Sequence, residues 1–200
     1  MGTAPHRTIP SRMPTQLPGE PIPGPTPLSL LQSSFRDLHR DRLYGFALLL
    51  TLGDERLAAQ ATEGALVDGA RDVTEHRYPE RAAVWLRARV LRRVRRWRSP
   101  ASSRSATALE PLGVGERAFS GLEALSLRER AALVAIDVEQ FDDGDAATVL
   151  DLRPASLLEV VRRARRRYLA AATATATDVD HADGPVRSRV RRAASRALSR

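Results

Sequence analysis

No cysteine occurs among the 200 residues of the chain, which excludes disulfides, cysteine-based zinc sites and thiol catalysis. Lysine is also missing, so all 32 basic side chains are arginine. Aromatic residues make up only 4%. A core must therefore be built from Ala, Leu and Val, a composition that favours closely packed helices over sheets. No apolar run approaches the roughly 20 residues that cross a bilayer, and the N-terminus lacks the apolar centre of a signal peptide. A glycine-rich phosphate loop is absent, and His6, His39, His76 and His181 stand too far apart for metal-ligand spacing. Asp142, Asp143 and Asp145 lack the length and terminal Glu of a calcium loop and read as helix caps. These absences predict an all-α, cytoplasmic, non-enzymatic protein without metal or cofactor.

What the chain has is positive charge, +8 net, carried on guanidinium forks that suit phosphates and guanine edges. Residues 1–28 hold eight of the thirteen prolines and read as a disordered, partly polyproline leader. From 29 to 98 the pattern is helical. Phe35, Leu38, Leu43, Phe46 and Leu50 predict one apolar face. Gly53 and Asp54 predict a stop and a new cap, and a helix from about 55 to 74 carries Leu57, Ala61, Ala65 and Leu66 inward. A third helix after Tyr78-Pro79 sets Trp85, Leu86, Val90, Val94 and Trp97 on one stripe, with Arg87, Arg89, Arg92, Arg93, Arg95 and Arg96 around it. Such a basic face beside two tryptophans suits a nucleic-acid backbone; core anchoring of the tryptophans is the other reading, preferred for Trp85.

Residues 99–121 are small, polar and punctuated by Gly and Pro, which predicts a flexible linker. In 122–170, Ser126 and Glu129 have capping-box spacing, and Leu127, Ala131, Val134 and Val138 continue a helix to about Gln140. Asp142 or Asp143 caps a short helix to Leu150. Asp151-Leu152-Arg153 makes a turn, and Pro154 opens a helix with Leu157, Val161, Ala164 and Tyr168 inward. Helix, short turn and helix, ending in arginines, is the outline of a helix-turn-helix. Residues 171–200 read as a basic, flexible tail.

Two helical domains, a linker and a C-terminal helix-turn-helix together resemble a bacterial RNA polymerase sigma factor, of the extracytoplasmic-function (ECF) type of the sigma-70 family. The likeness runs from about Phe35 to Tyr168. It rests on FRDLHRDRLYGFALLLTLGDERLAAQATEGAL and AAVWLRARVLRRVRRW for the family's second region. For its fourth region it rests on LEALSLRERAALVAIDVEQFDDGDAATVLDLRPASLLEVVRRARRRYLA. The resemblance implies that core RNA polymerase and promoter DNA are the partners, with an anti-sigma factor as a further candidate. It implies that Gln60, Thr62, Glu63 and Leu66 face the polymerase clamp. His76, Arg77, Tyr78 and Trp85 fall near the strand-opening (−10) surface, with Arg89, Arg92, Arg93 and Arg96 continuing the basic face. Arg153, Ser156, Glu159, Arg162, Arg163 and Arg166 fall on the −35 recognition helix.

The sequence departs from the family pattern in three places. The clamp segment AAQATEGAL keeps only Glu63 as an acid, Asp151 stands where relatives carry a turn glycine, and Leu158, Glu159 and Val160 occupy reading positions. Two other functions fit the same residues: a helix-turn-helix transcriptional regulator independent of polymerase, and a sigma-like protein-interaction module using Leu158 as an apolar contact.

Overall fold

The first helix, α1 (Pro27–Thr51), starts where Thr26 Oγ1 accepts a hydrogen bond from the Ser29 amide at 3.2 Å, with Pro27 in the first turn. In this computed structural model, residues 26–74, 78–97 and 103–174 are described, and all regular structure among them is helical. The leader boundary drawn at residue 28 thus falls inside α1, because a Thr cap followed by Pro is itself a helix start. The rest of the leader, the tail beyond Ala174, His76 and Arg77 lie outside the described residues.

Phe35, Leu43, Phe46 and Leu50 are buried as expected, but Leu38 is 62% exposed. His39 takes the inward place and packs on the Phe35 ring with centroids 4.8 Å apart. At about 100° per residue, position 39 lies between 35, 43 and 46 around the helix, whereas 38 lies well to one side. Leu52 and Gly53 then turn left-handed, with φ of 57° and 78°. Gly53 is required twice over, since a Cβ there would sit 2.0 Å from the Ser105 carbonyl oxygen.

Helix α2 (Glu55–Arg71) is capped by Asp54, whose carboxylate accepts from the Leu57 amide at 3.0 Å. It buries Leu57, Ala61, Ala65 and Leu66 and ends three residues before the expected Thr74. Helix α3 (Pro79–Arg96) buries Leu86, Val90 and Val94. Trp97 does not join that stripe: it lies just past the helix in extended conformation and is 44% exposed.

The segment expected to be a flexible linker is ordered wherever it is described. The Ser105 amide donates to the Leu52 carbonyl at 2.9 Å. A 3-10 helix (Thr107–Leu112) buries Leu109, and Val114 is buried beyond it. Helix α4 (Glu116–Glu123) then brings Gly121 against the Tyr168 ring, so close that a Cβ would lie 2.6 Å from it. Three well-spaced residues, Leu109, Val114 and Gly121, are enough to pin a stretch whose polar composition reads as loose.

Helix α5 (Leu127–Leu133) carries the expected capping box, with the Ser126 and Glu129 bonds both present. It runs into a π-helical turn (Val134–Val138) closed by a Glu139 amide to Val134 carbonyl bond of 2.9 Å. Helix α6 (Asp143–Leu150) is capped by Asp142. Three residues separate it from α7 (Pro154–Ala174), which buries Leu157, Val160, Val161, Ala164 and Tyr168. The halves anticipated as two domains share one continuous core running from Phe35 to Tyr168. Arg87, sandwiched 5.9 Å from the Phe46 ring and 5.5 Å from the Phe141 ring, crosses between them to Glu139 at 2.7 Å.

Asp151 holds φ 55° and ψ 56°, the left-handed region. Asp adopts that conformation at a cost glycine does not bear. Asp151→Gly is expected to leave stability unchanged or raise it by up to about 1 kcal/mol, and Asp151→Val to lower it by about 1–2 kcal/mol. Urea unfolding midpoints check this; a stabilised valine variant would refute the backbone explanation.

Candidate nucleic-acid interface

The exposed side of α7 gathers five of the six residues expected on the recognition helix. Ser156, Glu159, Arg162, Arg163 and Arg166 are all exposed and fall within an arc of about 120° around the helix. Arg153 is exposed in the turn just before it. Leu158, 45% exposed, stands at the edge of this face. Proline at the first position and five inward aliphatic or aromatic residues fix the rotation of α7, so the basic side is turned outward by the packing of the apolar one.

Beneath this face lies a carboxylate that sequence reading placed only as a cap. Glu129 is 1% exposed. Its Oε2 accepts from the Ser126 amide at 2.9 Å and the Ser126 hydroxyl at 2.8 Å. Arg163 Nε donates to Oε1 at 2.8 Å and Arg167 Nη1 to Oε2 at 2.8 Å. Burial alone would raise the carboxyl's pKa. The Ser126 amide and hydroxyl and the two guanidinium donors outweigh it, pulling the group down to about 2. One buried anion thus holds two arginines, one turn apart, at the root of the exposed face. Arg165 is held in the same way on the neighbouring side, with Asp137 accepting from Nε at 3.1 Å and from Nη2 at 2.7 Å. That pairing raises the Arg165 pKa. Among the described residues Arg162 pairs only with the exposed Glu159, at 3.2 Å, a pair worth little in solvent. Arg166 makes no ion pair among the described residues.

The basic face of α3 is less uniform than its sequence implies. Arg93 is tied into α2, donating to Asp68 at 2.8 Å and to the Gly64 carbonyl at 3.0 Å. A Cβ on Gly64 would strike its guanidinium at 2.6 Å. Arg93 is therefore a brace between α2 and α3 and not a free phosphate donor. Arg89 lies over the half-buried Trp85 ring, 4.5 Å from its centroid, an arrangement that occupies the tryptophan face from outside while its body packs on the core. Arg92 and Arg96 are exposed, as is Tyr78, whose ring carries Arg81 5.4 Å above it.

The four residues expected at the polymerase clamp divide evenly. Gln60 is exposed, and Glu63 is half-exposed in a 3.2 Å pair with Arg40. Thr62 and Leu66 are buried in the α2 core face, 2% and 0% exposed, and are out of reach of a partner. They fall on the inward side with Ala58, Ala61 and Ala65, where helical periodicity outweighs any motif position. Sequence reading also missed Arg165, Arg167 and the Glu129 anion, whose partners are 34 and 38 residues away along the chain. The Ser126 to Glu129 spacing was the one local signal. Comparison with protein-family models, with curated proteins and with solved structures finds no match to this chain.

Proposed function

We propose that the protein is a sigma-type transcription factor, non-enzymatic, that binds core RNA polymerase and directs it to promoters. In this reading α6, the turn at Asp151 and α7 form a helix-turn-helix that reads duplex DNA of the −35 type. Tyr78 and the exposed arginines of α3 meet the −10 strand, with Trp85, its ring covered by Arg89, anchoring α3 behind them. The observation that carries the proposal is the single exposed face of α7. Every residue assigned to recognition from the sequence lies on it or in the turn before it, over a helix whose other side is fully used in packing. Its arginines contribute phosphate attraction, and Ser156 and Glu159 are the groups able to read base edges.

The test uses Arg162 and Arg166, since neither contacts Glu129 and both can be removed without disturbing its network. Arg162→Ala with Arg166→Ala is expected to weaken duplex binding about tenfold or more and to flatten the salt slope by about one to two units. Retention by core polymerase in a pull-down should stay unchanged. Equal losses in both assays would contradict the assignment of α7, and a chain that neither binds core nor supports promoter-dependent transcription would end the sigma reading.

A second reading, a helix-turn-helix regulator acting without polymerase, is favoured by the shared core. Elements named −10 and −35 are about 25 base pairs apart, or ~85 Å of duplex. The longest helix here, α1 with 25 residues, spans only about 37 Å. A sigma factor would have to part its two halves to touch both elements, whereas a regulator reading one duplex site through α7 would not. Sequence-selective duplex binding by the full chain, with no retention by core polymerase, would decide for the regulator.

A further inference from the structure

Where α3 crosses α5 and α6, the two halves leave a cleft between them. Its larger part, about 260 Å³, is bordered by Leu91, Arg92, Arg95, Thr148, Val149 and Asp151. A smaller recess of about 50 Å³ opens from the same Leu91 and Arg95 and adds Leu127, Arg128 and Leu150. The floor is apolar, with Leu91, Val149 and Leu150 all under 5% exposed. Around the rim stand three guanidinium groups, those of Arg92, Arg95 and Arg128, each exposed.

These three differ from the arginines that hold the fold together. Arg87, Arg93, Arg163, Arg165 and Arg167 each meet a carboxylate within 2.8 Å. Arg92, Arg95 and Arg128 form no ion pair among the described residues. Arg92 and Arg95 are also three apart on one helix, a spacing at which like charges repel. Three cations over an apolar floor make an arrangement that a multiply charged anion relieves. The shape asks for more than a bare anion, because a cleft of about 260 Å³ has room beyond a diphosphate. Asp151 and the Thr148 hydroxyl oxygen offer acceptors for sugar hydroxyls or a base amino group. The Thr148 proton itself is committed to the Gly144 carbonyl at 2.9 Å.

We propose that this cleft binds a nucleoside diphosphate, with the phosphates on Arg92, Arg95 and Arg128 and the nucleoside over Leu91 and Val149. Its walls come from both halves of the chain, so the ligand binds only while they are packed together, and by linkage it stabilises that packing. Under the sigma reading, which this consequence alone depends on, the bound ligand would keep the halves from parting and so oppose promoter engagement.

Isothermal titration of the full chain with ADP, GDP, pyrophosphate and adenosine tests the site without reference to polymerase. One-to-one binding of ADP or GDP is expected, at least tenfold tighter than pyrophosphate and far tighter than adenosine. Arg95→Ala and Arg128→Ala should each weaken it tenfold or more, Arg95→Lys less so, and Arg56→Ala, an exposed arginine outside the cleft lining, not at all. Exposed arginines can be removed without unfolding the chain, which circular dichroism checks. Pyrophosphate binding as tightly as the nucleotides would overturn the nucleoside assignment. Equal loss in Arg56→Ala, or no binding at millimolar nucleotide, would overturn the site. So would binding of a single-stranded oligonucleotide alone, lost in the same variants, because the cleft would then be a nucleic-acid backbone contact. Failure to bind core polymerase would sink the sigma reading and leave these results standing.

Discussion

Replacing Arg130 with alanine is expected to cost about 3–5 kcal/mol, since buried carbonyls stripped of a donor cost about 1–3 kcal/mol each and the packing of the long side chain is lost as well. Arg130 is 7% exposed, yet no carboxylate pairs with it directly. Its Nε donates to the Leu122 carbonyl at 3.0 Å and its Nη2 to the Leu125 carbonyl at 2.9 Å, while Nη1 donates to the Leu50 carbonyl. Leu50 lies in the last turn of α1, and Leu122 in the last turn of α4. One guanidinium therefore closes the negative ends of two helix dipoles and satisfies carbonyls that have no partner within their own helices. Burial, then the nearby Arg104, draws its pKa down to about 10, partly offset by Glu123, so the group remains charged at neutral pH.

The alanine variant would take the donor from the Leu50 and Leu125 carbonyls and leave the Leu122 carbonyl only the Leu125 amide at 3.2 Å, at the seam between α1 and the α4–α5 turn. Whole-chain stabilities of about 5–15 kcal/mol make that a large fraction of the total. Arg130→Met restores most of the volume but none of the bonds and should recover only part of the loss. Arg130→Lys has donors but not the planar fork that reaches three separate oxygens. Urea unfolding measures all three; a loss below about 1 kcal/mol in Arg130→Ala would mean that water reaches these carbonyls and the seam is not sealed.

That seam marks where the sequence stops being legible. The all-α class, the caps at Asp54, Ser126 and Asp142 and the turn at Asp151 are all written in residues within four positions of one another, where local hydrogen bonding decides the outcome. The inward faces of α2 and α7 follow from period 3.6 alone. What binds the halves is long-range: Arg130 lies 80 residues from Leu50 and Arg87 52 from Glu139. Nothing local distinguishes these two arginines from the solvated ones beside them. For the same reason Arg93 reads as one more face arginine in LRRVRRW, although Gly64, 29 residues earlier, is the hollow it fills. The ordered segment 103–121 was hidden differently, because its few anchors are diluted by serine, alanine and glycine.

The exposed basic face of α7, by contrast, was legible in position but not in how its arginines are held, and Glu129 does that holding. Its carboxyl is held at about 2 in the folded chain against an ordinary 4.5. A carboxyl whose pKa is lowered on folding stabilises the fold above its unfolded value. That contribution fades as pH falls from about 4.5 through about 2, where the folded form also takes up the proton. The full shift corresponds to about 3 kcal/mol at neutral pH. Glu129→Gln keeps the shape and the reach to the Ser126 amide but removes the charge that faces Arg163 and Arg167. It should be less stable than the parent by about 3 kcal/mol at pH 7, with the gap closing towards pH 2. Unfolding midpoints measured at steps between those limits would show two curves converging, whereas curves that stay parallel would place the acid sensitivity elsewhere. Duplex binding should fall as well, by severalfold at neutral pH, although Gln adds no negative charge and leaves every arginine of α7 in place. Simple electrostatics alone gives the opposite sign, since removing an acid makes the face more positive. A weakened complex would therefore show that the buried anion acts by holding Arg163 and Arg167 in the geometry that meets phosphate, and a tighter one that it does not.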